Sequence, residues 1–197
     1  GNDKIYAASE NAIFSYDLTT NELETITTIN GLSGQTITKI KYSQDYQLLM
    51  IGYENGLIEI VFDNDTEVLS VVDILDKETI SPNTKRINHF NEFNGLVYIS
   101  TNYGISVYDL ERLEFGDTFL IGNGGSQINV NQTTIFGDFI YAACGSNNAI
   151  KKASLSNPNL IDYLQWQTIS TGDFKSIQTV VDKLYAVRLN NTFYEIV

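Results

Sequence analysis

Side chains suited to ligand binding recur beside short predicted turns, and none of them forms a recognisable catalytic set. Asparagine amides donate and accept hydrogen bonds, and tyrosine rings can stack on the face of a sugar. Adjacent Lys and Arg side chains can pair with an anionic group. These properties single out eight candidate ligand-binding residues: Glu54, Asn55, Lys85, Arg86, Asn102, Tyr103, Asn147 and Asn148.

The same residue types also have a purely structural explanation. Asn and Gly tolerate positive φ, so tight turns select them whether or not a ligand binds. A neighbouring Lys-Arg pair on a protein surface is commonly just solvated. The sequence leaves both explanations open.

Residues that could carry catalysis or hold a metal are scarce. The one histidine, His89, has no evident Ser or Cys partner. The one cysteine, Cys144, excludes an internal disulfide and is predicted to be a small buried hydrophobe. Residues 63–65 imitate the start of a calcium loop but lack its later Gly and Glu, so we interpret them as a turn. We expect no metal site and no cofactor.

A glycan-cleaving enzyme on this chain would need two converging carboxylates. Only Glu10, Glu54 and Asp173 are candidates, and nothing in the sequence pairs them. We therefore expect a protein that is not an enzyme.

The charge and hydropathy patterns exclude two further classes of partner. The formal net charge is −12, which repels phosphate backbones and argues against nucleic-acid binding. No apolar run approaches the ~20 residues of a membrane-spanning helix, so we expect no membrane insertion by this domain.

A repeated sequence motif determines where the turns that carry the candidate residues lie. Its first part is a short apolar run with an aromatic residue or Met, and its second part is another short run after a polar gap. The motif occurs five times, at intervals of about 45 residues, the period of propeller blades. The first parts lie at residues 5–8, 49–53, 97–100, 140–143 and 184–187.

The repeats predict an all-β fold, a β-propeller of four-stranded antiparallel blades in a single domain covering residues 1–197. The first repeat lacks its inner strand and the last lacks its outer strand, which gives eighteen strands, or about 4.5 blades. We expect such a chain to be part of a larger closed propeller. The repeat units are residues 1–33, 34–82, 83–125, 126–172 and 173–197.

The second repeat shows all four strands, at residues 37–42, 48–53, 57–62 and 68–72. Asn55-Gly56, between the second and third strands, is a strong hairpin signal. In a propeller these hairpins lie on the same face as the connections between blades. The eight candidate residues are therefore predicted to form a rim on that face.

Several stretches resemble the N-terminal β-propeller of PorZ-type proteins of the type IX secretion system. They are residues 30–33, 49–59, 98–110 and 114–122, and the likeness covers roughly residues 4–170. The resemblance implies a non-catalytic component at the periplasm or outer-membrane surface of a Gram-negative bacterium. Its implied partners are other secretion proteins and an anionic lipopolysaccharide, because this machinery attaches cargo to that glycan.

Two-component regulator propellers are the related alternative. They typically carry Trp-Ile-Gly-Thr-x-x-Gly-Leu at the hairpin, whereas Met50 and Tyr98 stand in the Trp position here. This difference favours the PorZ-type family. The alternative implies a periplasmic domain that senses an oligosaccharide and acts with signalling proteins.

Overall fold

The computed structural model describes residues 3–63 and 67–197, so the turn predicted at residues 63–65 lies largely outside the described residues. The described chain contains eighteen β-strands and four short 3₁₀ helices. The strands form five antiparallel sheets, of three, four, four, four and three strands in chain order. The prediction of an incomplete all-β propeller with four-stranded blades is confirmed.

Residues 1–87 and 88–197 form two compact units, and the single domain expected from the repeats stays a prediction. The first unit contains a three-stranded and a four-stranded sheet, whose strands pair in chain order. The strands are β1 (Lys4–Ala8), β2 (Ile13–Asp17), β3 (Leu23–Ile26), β4 (Ile37–Ser43), β5 (Leu48–Tyr53), β6 (Ile58–Phe62) and β7 (Val68–Val71).

Three sheets follow, and their first strand begins at the last residue of the first unit. The third sheet consists of β8 (Ile87–Phe93), β9 (Leu96–Thr101), β10 (Ile105–Asp109) and β11 (Glu114–Phe119). The fourth consists of β12 (Val130–Phe136), β13 (Phe139–Cys144), β14 (Ile150–Ser154) and β15 (Gln167–Ser170). The fifth consists of β16 (Asp173–Val180), β17 (Lys183–Asn190) and β18 (Phe193–Ile196).

The core of the first unit lies between its two sheets. All six residues of β5 are buried, as expected for an apolar strand that is covered on both faces. Leu49 and Ile51 of β5 pack with Ile13 of β2. The stacked rings of Tyr6 and Tyr42, with centroids 5.2 Å apart, extend this contact.

The second unit has one core on each side of β13, because successive residues of a strand point to opposite faces. Ala142 and Cys144 pack with a cluster that includes Phe119 and Trp166. Ala143 packs on the other side, with Phe174. The thiol of Cys144 is fully buried, and desolvation raises its pKa to about 12. The prediction of a buried small hydrophobe is confirmed.

Side-chain hydrogen bonds join the inner strands of the second unit at equivalent positions. The inner strand of each sheet here is its first strand in the chain. In each case the second residue of one inner strand donates to the main chain of the inner strand of the next sheet. These bonds run from Asn88 Nδ2 to Val130 O (2.9 Å) and from Asn131 Nδ2 to Phe174 O (2.6 Å). Within the first unit, Thr38 Oγ1 donates to Ile87 O in the same way (2.7 Å).

A register shift explains the orientation of the Asn131 and Thr38 side chains. The pairing of β12 with β13 slips between Val130 and Gln132, and that of β4 with β5 slips between Ile37 and Lys39. The residue between each pair is therefore the extra residue of a β-bulge, which redirects its side chain. Strand alternation alone does not reveal this feature.

Asn131→Ala is expected to lower the free energy of unfolding by about 1–3 kcal/mol, because the Phe174 carbonyl would lose its side-chain partner in a buried setting. Urea unfolding followed by fluorescence would measure the loss. Gln127→Ala changes an exposed residue nearby and should leave the midpoint unchanged. Equal midpoints for the two variants would contradict a stabilising role for this bond.

Candidate functional site

The hairpin between β5 and β6 uses its candidate residues mainly to build the turn. Asn55 Oδ1 accepts a hydrogen bond from the Leu57 N–H (3.1 Å), and Gly56 has a φ of +91°. A Cβ on Gly56 would lie 2.9 Å from the Cβ of Lys85, which shows how closely the hairpin approaches that residue. The structural explanation therefore accounts for Asn55 and Gly56.

Lys85 and Arg86 do not form a pair of free cations. Lys85 is only 5% exposed, and its Nζ donates to the Leu75 carbonyl at 2.6 Å. Arg86 forms an ion pair with Glu54, and both side chains are about half exposed. The expectation that Lys85 lies on an exposed rim was wrong, because the close packing at Gly56 encloses its side chain.

Lys85→Ala is expected to lower the free energy of unfolding by about 1–3 kcal/mol, since it removes packed methylene groups and leaves the Leu75 carbonyl without its partner. Arg86→Ala should change it by about 1 kcal/mol or less, as for other exposed ion pairs. Urea unfolding of both variants would compare them. A larger effect for Arg86→Ala would contradict the assigned locations.

The hairpin between β9 and β10 encloses Tyr103. This side chain is 0% exposed, and its hydroxyl lies 2.7 Å from Ser106 Oγ. Desolvation raises the pKa of Tyr103. The expectation that Tyr103 is available to stack on a sugar was wrong. Asn102 is half-buried, and its Oδ1 accepts from Asn88 Nδ2 at 2.9 Å.

Asn147 and Asn148 lie on the turn between β13 and β14 and line a pocket. Asn147 is exposed, and Asn148 Nδ2 donates to the Gly145 carbonyl at 2.8 Å. The pocket has a volume of about 310 Å³ and lies entirely within the second unit. Its lining residues are Gly122, Asn123, Ser126, Ile128, Asn147, Asn148, Ala149, Lys151, Thr168 and Thr171.

Lys151 is the functional candidate that the sequence reasoning missed. It is 6% exposed and lies in β14, on the strand face that also carries Ala142 of β13, its paired residue. No hydrogen bond or ion pair joins its ammonium group to another residue in ranges 3–63 and 67–197. Lys151 and Lys152 are consecutive in a strand, so one of them must point inward, and that was the available signal.

Two of the three carboxylates considered for catalysis are engaged with other groups, whereas Glu10 is exposed. Glu54 pairs with Arg86. Asp173 accepts from the Ser146 N–H (3.1 Å) and from Lys175 Nζ (3.0 Å). Among the described residues, no group of three or more His, Cys, Asp or Glu side chains is placed to hold a metal ion.

No helix in the described ranges combines the length and the apolar composition that crossing a membrane requires.

Several solved structures share this fold. PorZ of Porphyromonas gingivalis, a bacterial surface component of the type IX secretion system, matches with a TM-score of 0.79 and 19% identity. The match covers 94% of this chain and 24% of PorZ, so the chain spans about a quarter of that protein.

Two other structures are also similar. The extracellular domain of a hybrid two-component system of B. thetaiotaomicron matches with a TM-score of 0.67 and 16% identity, over 94% of this chain and 24% of that one. Saccharomyces cerevisiae Sqt1 matches with a TM-score of 0.68 and 14% identity, over 95% of this chain and 53% of that one. At these identities, the likeness to the solved structures shows the fold alone.

None of the curated proteins matches the sequence. A family model described as the N-terminal β-propeller domain of PorZ, of the type IX secretion system, matches residues 5–167. This match covers most of the chain and agrees with the five antiparallel sheets. The chain therefore belongs to the family of PorZ N-terminal β-propeller domains.

Proposed function

We propose that the chain is a non-catalytic binding and scaffold domain in a protein that secretes and attaches cargo through the type IX system. The match of the PorZ family model to residues 5–167 is the observation that carries this proposal. The proposed location is the periplasm or the cell surface, and the proposed partners are other secretion proteins and an anionic glycan such as lipopolysaccharide.

Of the eight candidate residues, those with side chains at the surface keep a proposed role in glycan contact. They are Glu54, Asn55, Arg86, Asn102, Asn147 and Asn148. Their amides and charges suit hydroxyl-rich ligands. Lys85 and Tyr103 act in the interior instead.

Deletion of the coding sequence for residues 1–197 in the parent bacterium tests the secretion role. The expected result is that cargo accumulates in the periplasm and does not reach the cell surface, while expression of the intact gene restores secretion. Normal export and surface attachment of cargo in the deletion strain would overturn the proposal.

A sensor domain of a two-component regulator is the second candidate. The extracellular domain of the B. thetaiotaomicron system shares the fold, and this is the observation behind the second candidate. This alternative predicts that the deletion strain exports cargo normally but fails to change transcription when an oligosaccharide is supplied. Transcript profiling of the same strain distinguishes the two functions.

A further inference from the structure

The pocket beside the turn between β13 and β14 is lined by a lysine, Lys151, that forms no ion pair with any described residue. Lys151 is 6% exposed and lines this pocket. Its ammonium nitrogen is not among the buried polar atoms without a partner in the described residues, so it meets water only through the pocket. A lysine that is this enclosed normally has a charge partner. None of the ten lining residues is acidic. An anion that enters the pocket would form an ion pair with this ammonium group.

We propose that this pocket binds a sugar residue carrying a single carboxylate group, such as a hexuronate, with the Lys151 ammonium as its charge partner. The inference rests on the proposed glycan-binding role and names a site and a ligand class for it.

The size of the pocket suits one sugar ring. Its volume of about 310 Å³ lies at the lower end of the roughly 300–1,000 Å³ that small-molecule sites occupy. A single ring with its substituents is a ligand of this scale, whereas a branched oligosaccharide would extend beyond it.

The neutral groups of the pocket suit hydroxyl groups. Amide and hydroxyl side chains dominate the lining, and each can both donate and accept hydrogen bonds. The side chain of Ile128 offers an apolar surface to ring carbons. The polar contributors are Asn123, Ser126, Asn147, Asn148, Thr168 and Thr171.

The charge of the pocket favours a carboxylate over a phosphate. Lys151 is the one charged residue among the lining residues, so it balances a single negative charge. A phosphate monoester carries about −1.5 to −2 at pH 7, which would leave excess negative charge in a partly enclosed site. The net charge of −12 of the whole chain further disfavours multiply charged anions.

Isothermal titration calorimetry of the 197-residue chain with glucuronate, glucose and glucose 6-phosphate tests this proposal. We expect measurable glucuronate binding and at least about tenfold weaker binding of both other sugars. Glucose binding as tight as glucuronate binding would overturn the role of charge. Tighter binding of glucose 6-phosphate would overturn the carboxylate, and absence of glucuronate binding would overturn the proposal as a whole.

Two substitutions in the same strand locate the site. Lys151→Met keeps most of the side-chain volume without the charge and should weaken glucuronate binding by at least about tenfold. Lys152→Met is the matched control, since Lys152 points to the other face and lies over the Phe139 ring, 4.6 Å from its centroid. Equal glucuronate affinities for the two variants would place the ligand elsewhere.

A third variant covers the case in which Lys151→Met fails to fold. Thr168 pairs with Lys151 in the β14–β15 ladder, so Thr168→Glu would place a carboxylate beside the ammonium group. This internal partner should abolish glucuronate binding while preserving the folded state. Unchanged binding in Thr168→Glu would contradict the proposal. If glucuronate does not bind but the deletion strain still fails to secrete cargo, the proposed pocket is wrong and the secretion role stands.

Discussion

Glu59→Ala is expected to lower the free energy of unfolding by about 3 kcal/mol, one of the two largest losses that we expect for a single substitution. Glu59 lies in β6 and is only 1% exposed. Its Oε1 accepts from the Ser33 N–H at 2.9 Å, and its Oε2 accepts from the Tyr53 hydroxyl. Both donors would lose their partner in the alanine variant.

The cost is large because this carboxylate joins separate parts of the first unit. The bond to Ser33 holds the connection between β3 and β4 against β6, and the bond to Tyr53 lies in the core. Burial and the bond to Glu59 raise the pKa of Tyr53 well above its usual value, so the hydroxyl remains a donor. Truncating Glu59 therefore loosens both the core and the loop above it.

Urea unfolding followed by circular dichroism measures the loss. Glu59→Gln keeps the side-chain length and can still accept from Ser33, so its midpoint should lie between those of the wild type and the alanine variant. Glu78→Ala, at an exposed position, serves as the control and should match the wild type. A Glu59→Ala midpoint equal to that of the control would refute the structural role of this carboxylate.

Gly104→Ala is expected to cost at least about 3 kcal/mol, or to prevent folding. Gly104 has a φ of +151°, which side chains with a Cβ rarely adopt, and an alanine Cβ would lie 2.4 Å from the Phe119 carbonyl oxygen. That oxygen belongs to the main chain of β11, so it cannot rotate away. The β10–β11 pairing would have to shift to make room.

Gly137→Ala is the control that separates the cost of the backbone conformation from the cost of the steric clash at Gly104. Gly137 also has positive φ, +57°, but nothing lies within 4 Å of a Cβ built there. Its substitution should cost only about 1 kcal/mol, from the backbone conformation alone. Thermal unfolding of both variants gives the comparison, and similar midpoints would show that the close approach at Gly104 is unimportant.

The fold could be predicted because its signals are local and repeated. The apolar residues 48–53 indicated a strand covered on both faces, and β5 is buried throughout. Asn55-Gly56 marked a hairpin, which the structure contains between β5 and β6. Each blade supplies the same local information again, so an error in one repeat does not change the architecture.

The candidate site was harder to predict because exposure depends on neighbours distant in sequence. Lys85 and Tyr103 lie in polar turn sequences, yet packing around Gly56 and the hydroxyl of Ser106 encloses them. Lys151 lies in a regular strand, and its burial depends on which face its neighbours cover. The spacing of apolar residues and the residue types of the turns do not show which side chains are buried.

The side-chain bonds between inner strands have a consequence for how such chains can diverge. Asn88 and Asn131 each donate to a main-chain carbonyl of the following inner strand, at Val130 and Phe174. A main-chain carbonyl is present whatever side chain the accepting residue carries. Each donor therefore requires no particular residue in the strand that follows. A duplicated or heavily mutated blade can still form this hydrogen bond with the blade before it.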